Sequence, residues 1–401
     1  MSKWPVVKLG DVLMEHDNSV PTNKLTEVNL AGVYSFARGL FKRGLMSPNE
    51  TSYKSYNRLV TDDFVISTPK AWEGALALVT EEFDGWFLSS VFPTFRANRE
   101  RLMPKFLEYF CKLESVWGEL KRRSRGIGAR RESVHPKQFL SLDIPLPPLT
   151  EQRRIVARIE ELDAQINEAR ELRKQIENDT EILFKQALSS HIDDSGWPTF
   201  LLGKILSEKP RNGLAPQSET DIGGRMMLRI NAVSSSQTRY VDTSATKQVQ
   251  LASETAEPFV IKNDDIFIVR YNGDINRVGK PAIYKGCNKY QIVYPDKLIR
   301  LRPNTKQISP DFLVFALNSR TVRTQVENLG KTTAGNIGIS GGNVQSFIIP
   351  VPSLPEQRRI VAELDTLQAE VDAMKRLQAE TAIELDALLP AVLDRAFKGE
   401  L

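Results

Sequence analysis

The sequence predicts an α+β protein: two pseudo-symmetric globular domains of mixed α/β content, joined by two long helices that form an antiparallel coiled coil. Three observations carry this reading. Residues 145–157 read PLPPLTEQRRIVA and residues 350–362 read PVPSLPEQRRIVA, ten of thirteen positions identical at an offset of 205. Trp4-Pro5, Leu9-Gly10 and Leu13 return as Trp197-Pro198, Leu202-Gly203 and Leu206. A period this long lies far outside the solenoid range, so it marks a duplicated domain. Each copy of the phrase also opens a heptad pattern. The chain thus divides into domains at 1–149 and 196–350 and helical regions at 150–195 and 351–401.

The globular segments mix short apolar runs with turn residues. Strands are expected at Phe64–Ser67, Ala75–Val79, Ile266–Val269, Ala282–Tyr284 and Leu298–Leu301. Each segment has a helix after a proline, at Pro104 and at Pro310, because the missing N–H costs nothing in a first turn. Pro148 and Pro355 turn the residues before them away from helix and set off the long helices. With Ile155 at a d position, the first seam is Ile155, Ile159, Leu162, Ile166, Ala169, Arg173, Ile176, Thr180, Leu183 and Ala187. The second is Ile360, Leu364, Leu367, Val371, Met374, Gln378, Thr381, Leu385, Leu388 and Val392. The four–three alternation over five heptads is coiled-coil spacing, with a polar a residue at the same place in both copies (Arg173, Gln378). Amphipathic helices packed on their own domains are the alternative.

Charge divides along the same lines. Lys and Arg outnumber Asp and Glu 21 to 17 in residues 1–144 and 20 to 12 in residues 196–350. The balance reverses to 7 against 11 in residues 151–195 and to 6 against 10 in residues 351–401. A polyanion is drawn to the globular parts and repelled from the helices. The two cysteines, Cys111 and Cys287, stand alone, which speaks for a reducing compartment and against a zinc or disulfide framework. The start lacks a signal-peptide pattern and no apolar run approaches the ~20 residues of a membrane span. A cytoplasmic location is expected.

Catalytic signatures are missing. There is no GxxxxGK[ST], GxSxG or HExxH, and Gly126-Ile127-Gly128 runs on into Ala129-Arg130-Arg131 rather than completing a dinucleotide fingerprint. His16, His135 and His191 lie far apart and read as surface or capping residues. Asp62-Asp63 and Asp264-Asp265 precede apolar runs and read as turns into strands. The chain is expected to be no enzyme, to hold no metal and to bind no cofactor of its own.

Basic clusters offer more. Between Arg96 and Lys137 lie Arg96, Arg99, Lys121, Arg122, Arg123, Arg125, Arg130 and Arg131, with Phe92, Phe95, Tyr109, Phe110 and Trp117 around them. Such cations neutralise phosphates and release counterions, and Arg can also pair bidentately with guanine. In the second module Arg270, Tyr271, Asn272 and Gly273 follow a strand, with Asn276, Arg277 and Lys280 close behind. Lys331, Thr332, Thr333 and Asn336 belong to a run of small polar residues whose backbone can approach a phosphate. Turn chemistry serving only the fold is the competing account of both stretches.

The doubled phrase heading a heptad helix, the WPxxxLGxxL openings, the RYNG at 270–273 and the TTAGNIGIS at 332–340 resemble the specificity subunit of type I restriction–modification systems. The resemblance covers essentially the whole chain. It implies two target-recognition domains, each reading one half of a split DNA sequence around an unread spacer. Two modification (methyltransferase) subunits, which carry S-adenosylmethionine, would dock on the helical regions. Restriction subunits, which carry the motor and nuclease with ATP and magnesium, would join the larger assembly. Glu151, Gln152, Arg153 and Arg154, with Glu356, Gln357, Arg358 and Arg359, would belong to the docking regions. The first module lacks an evident RYNG and has Arg125–Arg131 in place of TTAGNIGIS, so the two half-sites should differ. A coiled-coil adaptor and a diverged DNA methyltransferase are the other readings.

Overall fold

The computed structural model describes residues 4–47, 51–124, 133–193, 196–215, 218, 224–235, 238–286, 291–333 and 336–401. Cys287 lies outside them. The chain forms two compact units, one of Met1–Lys174 with Gln378–Leu401, the other of Gln175–Leu377. Each unit takes one globular segment and one half of each long helix.

The duplication is visible as a shared scaffold. In the first unit a four-stranded antiparallel sheet runs in the order Leu13–Glu15, Thr94–Ala97, Phe64–Ile66, Leu76–Leu78. In the second unit the order is Leu206–Asn212, Leu298–Pro303, Ile266–Val269, Pro281–Ile283, again antiparallel. A short strand at the start of each module pairs with the strand entering the hinge, Val6 opposite Pro145 and Thr199 opposite Pro350. The helices predicted after proline span Pro104–Cys111 and Pro310–Asn318. Their apolar residues, Phe106 and Leu107 in one and Phe312 and Leu313 in the other, are buried in the cores.

What is appended to the scaffold differs. The first unit adds a five-stranded sheet in the order Ser19–Pro21, Ser55–Arg58, Phe87–Ser89, Val28–Val33, Leu40–Met46. The second adds a pair, Arg225–Leu228 with Thr246–Val249, and a three-stranded sheet of Tyr271–Asn272, Asn336–Gly338 and Lys331–Thr333.

The aspartate pairs do sit at turns into strands, and they do more than turn the chain. Asp62 and Asp264 adopt φ of 69° and 66°, a conformation Asp tolerates better than most residues. The neighbouring Asp63 and Asp265 are each 1 % exposed. Asp63 receives Arg96 through Nε at 2.8 Å and Nη2 at 3.2 Å. Asp265 receives Arg302 through Nε at 2.7 Å and Nη2 at 2.9 Å. One two-pronged ion pair thus recurs at the same place in both units.

The long helices span Leu149–Ile192 and Leu354–Lys398. In the first unit Arg154 donates to the Leu401 carbonyl at 2.7 Å, Arg170 reaches Asp386 at 2.9 Å, and Arg173 donates to the Gln378 carbonyl. Numbers rise on one helix as they fall on the other, so the halves run antiparallel. Arg173 and Gln378 are the repeat-equivalent polar residues, 205 apart. Antiparallel pairing of two copies of one helix brings one position onto its own repeat. In the second unit Leu188 and Ile192 share a core with Ile360 and Leu364. The expected seam needs one correction. Ile176, Leu183, Met374 and Leu388 are exposed, whereas Leu188, Ile192, Leu393, Ala396 and Phe397 are buried. A straight α-helix drifts about 20° per heptad against a strict seven-residue repeat, which moves the buried stripe by about one residue over five heptads.

Among the described residues no helix is long and apolar enough to cross a membrane, and no group of His, Cys, Asp or Glu is placed to hold a metal.

Candidate nucleic-acid interface

The repeated EQRR phrase resolves into three jobs. Gln152 and Gln357 are both 0 % exposed. The Met103 amide donates to Gln152 Oε1 at 2.8 Å, and Gln152 Nε2 donates to the carbonyls of Arg101 and Pro147 at 2.7 and 2.8 Å. The Ser309 amide donates to Gln357 Oε1 at 2.7 Å, and Nε2 donates to Gln307 and Pro352 at 3.1 and 2.9 Å. Met103 and Ser309 precede the post-proline helices, so each glutamine ties a long helix to the module it serves. This corrects the docking role expected for both: their amides are spent inside the chain. Arg154 pairs with Glu151, and Arg359 with Glu356 and Glu363. Arg153 and Arg358 are exposed, and among the described residues neither meets a carboxylate.

In the second unit the fold brings together the two stretches singled out separately in the sequence. Tyr271 lies opposite Gly338 and Asn272 opposite Ile337. Lys331, Thr332 and Thr333 line the other side of the same strand, opposite Gly338, Ile337 and Asn336. Gly338 keeps this approach uncrowded: a Cβ there would lie 3.1 Å from that of Tyr271, which would have to give by a few tenths of an ångström. Arg270 stacks 5.7 Å over the Tyr271 ring and donates to the Asp296 carbonyl at 3.4 Å. Burial, then the charge of Asp296, pushes the Tyr271 hydroxyl above its ordinary value. Asn272 Oδ1 accepts from the Asp274 amide, and Asp274 in turn accepts from Asn276. Arg277 stands 3.7 Å from Asp274. Burial, then the charge of Arg277, lowers Lys280 below the usual lysine value. The sheet therefore carries Arg, Lys, Tyr and Asn side chains around one turn.

The first unit places its cations differently, and the structure sorts them. Arg96 is tied to Asp63 by the two-pronged pair that recurs in the other unit, so it serves the scaffold. Arg123 donates to Glu119 Oε1 and to the Ser141 carbonyl, both at 2.7 Å, and to the Ser141 hydroxyl at 2.6 Å, and is likewise held. Arg99 and Arg122 make only exposed pairs, with Asp62 and Glu119, which a phosphate can replace at small cost. Lys121 is exposed and lies 5.5 Å over the Trp72 ring. Phe95, Tyr109 and Phe110 are core residues, a second correction, since they cannot line an interface. Arg125, Arg130 and Arg131 lie outside the described residues.

The missing counterpart of RYNG can be located by topology. The Val134 amide donates to the Thr68 carbonyl at 2.8 Å, as the Ile339 amide donates to Arg270 at 2.9 Å. Thr68 to Glu73 therefore stands where the second unit has Arg270–Asn272, and it bears Lys70 and Trp72. Against it lies the tip of the hairpin formed by Val28–Val33 and Leu40–Met46, with Tyr34, Phe36 and Arg38 exposed. Sequence reading missed this hairpin. The available signal was the alternation of aromatic and basic residues from Tyr34 to Arg43.

A shared scaffold with diverged, cation-bearing edges, each carried on paired helices, defines a tandem-domain protein of two copies built on one plan. The model of the type I restriction modification DNA specificity domain matches residues 1–178 and again 195–383, and the chain belongs to that family. It is similar to the EcoKI specificity subunit of Escherichia coli K12, 27 % identical over 309 residues, covering 74 % of this chain and 65 % of the relative. It is equally similar to the StySPI specificity subunit of Salmonella potsdam, 27 % over 315 residues, 75 % of this chain and 66 % of the relative. The matched part thus spans just under two thirds of these relatives' length. Among solved structures, a chain from a study of complex assembly and conformational transition of the type I R-M system superposes with a TM-score of 0.77 at 27 % identity, covering 99 % and 98 % of the two chains. The HsdS subunit from Thermoanaerobacter tengcongensis gives 0.64 at 27 % identity, covering 99 % and 97 %.

Proposed function

We propose that this chain is the non-catalytic, sequence-reading subunit of a type I restriction–modification assembly. Its segments 1–149 and 196–350 are the target-recognition domains, each reading one half of a bipartite duplex sequence; 150–195 and 351–401 are the helical regions. The observation that carries this is one scaffold bearing two different appended edges: a common frame sets a common kind of ligand, and different edges read different sequences.

Phosphate contacts position such a reader and base contacts give it specificity. In the second domain the base-reading groups are Arg270, Tyr271, Asn272 and Asn336, with Asn276, Arg277, Lys280, Lys331, Thr332 and Thr333 around them. In the first, Arg99, Lys121 and Arg122 bind phosphate, joined by Arg125, Arg130 and Arg131. Arg153 and Arg358, exposed at equivalent places and flanked by Glu151, Arg154, Glu356 and Arg359, dock two methyltransferase subunits. Those subunits bind S-adenosylmethionine and must take the target adenine out of the stack to reach it. Restriction subunits, with ATP and magnesium, add cleavage, and the assembly works in the cytoplasm.

The test is to map methylated adenines in DNA from cells carrying the chain with its partner subunits. Two modified positions in a split, asymmetric sequence with a fixed unread gap are expected. A continuous motif would count against two readers. Methyl transfer by the purified chain alone would count against a non-catalytic subunit.

A further inference from the structure

The hairpin tip of the first unit is built at a conformational cost. Phe36 and Ala37 sit at φ of 62° and 48°. In this left-handed region a bulky side chain is strained, and Gly or Asn would serve a simple turn better. The conformation is enforced from a distant segment: the Phe36 amide donates to the Glu73 carbonyl at 2.9 Å and the Ala37 amide to Gly74 at 2.7 Å. The result is a phenyl ring left 61 % exposed, touching the fold edge-on at Trp117, 6.0 Å away. Arg38 is also exposed, its guanidinium 4.9 Å over Tyr34 and 5.9 Å from the Phe36 ring. Behind the tip, Tyr34 packs on Phe41 at 4.4 Å across the hairpin. Residues held in sparsely populated conformations cluster at ligand clamps and active sites.

The position of the tip adds direction. Glu73 and Gly74 end the turn that stands where the second unit carries Arg270–Asn272, and Trp117 belongs to the helix bearing Lys121 and Arg122. An apolar ring backed by an arginine, beside a cationic helix end, matches the apolar wedges that proteins insert between base pairs. Among the described residues of the second unit, the non-glycine residues at positive φ are Asp264 and Gln291, and neither is aromatic.

Resting on the reading of the first unit as a DNA reader, we propose that Phe36 is a wedge that unstacks one base step in that unit's half-site, with Arg38 holding the adjoining phosphate. Among the described residues the second unit has no counterpart of this ring, so the wedge acts on the first unit's half-site.

The test uses the full chain assembled with its methyltransferase subunits and duplexes carrying the mapped target, with 2-aminopurine placed singly across each half-site. Wild type should brighten the probe at one step of one half-site. Phe36→Gly removes the ring and suits the left-handed backbone, so it should melt no lower than wild type. It should also bind about tenfold or more weakly, in line with the loss of one base–aromatic stack, and abolish the brightening. Phe36→Asn is the second variant, since Asn also tolerates this φ. Scrambling the affected half-site should erase the difference between wild type and either variant. No brightening anywhere in wild type, or variants that bind and brighten as wild type does, would overturn the wedge. If scrambling either half-site left wild-type affinity unchanged, the DNA-reading role itself would fail, which separates the two.

Discussion

At the scale of single residues, two buried glutamines govern how the chain is assembled. Gln152 uses its amide oxygen for one donor and its nitrogen for two acceptors, all backbone groups. Removing the side chain strands those partners, and each buried unsatisfied group costs about 1–3 kcal/mol. Gln152→Ala should therefore cost roughly 2–4 kcal/mol by denaturant titration, and Gln152→Glu more, because a carboxylate cannot donate to two carbonyls. A loss under about 0.5 kcal/mol for Gln152→Ala would show that the helix is held to its module by packing alone. Glu208 makes a prediction in pH. Burial opposes its ionisation, but hydrogen bonding and charge from Arg302, then the charge of Arg300, hold its carboxyl below the usual 4.5. A lowered value in the folded state means that the unfolded chain binds the proton first. The stabilisation is whole above the ordinary value and fades as pH falls through the lowered one. Thermal melts should show Glu208→Gln losing stability relative to wild type near neutral pH, with the gap closing in acid. A gap that stays constant would remove this ion-pair account.

At the scale of elements, the three-stranded sheet and the helix heads divide the labour. Asn272 lies on the edge strand of the three-stranded sheet and Arg270 immediately precedes it; on the proposed function both side chains read bases. Arg270→Ala or Asn272→Ala should weaken binding to one half-site by about 1–3 kcal/mol and relax its base preference, with the other half-site unchanged in competition assays. An equal loss at both halves would mean that the sheet does no reading. On the helix heads, Arg153→Glu with Arg358→Glu should strip methyltransferase subunits from the assembly while DNA affinity per half-site changes little. Undiminished stoichiometry by mass photometry would place the docking surface elsewhere. Much of this was legible in the sequence. The duplicated phrase, the prolines ahead of the Pro104–Cys111 and Pro310–Asn318 helices, and β-rich runs such as Ile266–Val269 are local signals, and local physics decided them. RYNG and TTAGNIGIS were each visible, but their meeting in one sheet depends on pairing between residues as far apart in the chain as Tyr271 and Gly338. The commitment of Gln152 to backbone and of Arg96 to Asp63 depends on burial that no pattern displays. The Phe36 tip was hidden for a further reason: its backbone contradicts its own residue type and is imposed by Glu73 and Gly74.

At the scale of the molecule, the modules are basic and the helical regions acidic, and on the proposed function the former bind DNA while the latter hold the readers apart. Each long helix contributes to both units, the first passing from one to the other after Lys174 and the second after Leu377. If the helices set the gap between half-sites, lengthening both together must change that gap and nothing else. One heptad inserted after Lys174 and one after Leu377 adds seven residues per helix, about 10 Å at 1.5 Å per residue. The faces stay nearly aligned, because seven residues leave only about 20° of drift. An axial gain of about 10 Å equals about three base pairs, but the duplex also turns by about 100° over that distance, which favours a smaller step. The preferred spacer should therefore lengthen by roughly one to three base pairs, with both half-site sequences retained, as read by methylation mapping on a library of spacer lengths. Inserting three or four residues instead would rotate one apolar stripe off the other and should abolish binding at every spacer. A heptad variant that kept the original spacer would show that the gap is set by the modules themselves, and the helices would then serve only to hold partner subunits.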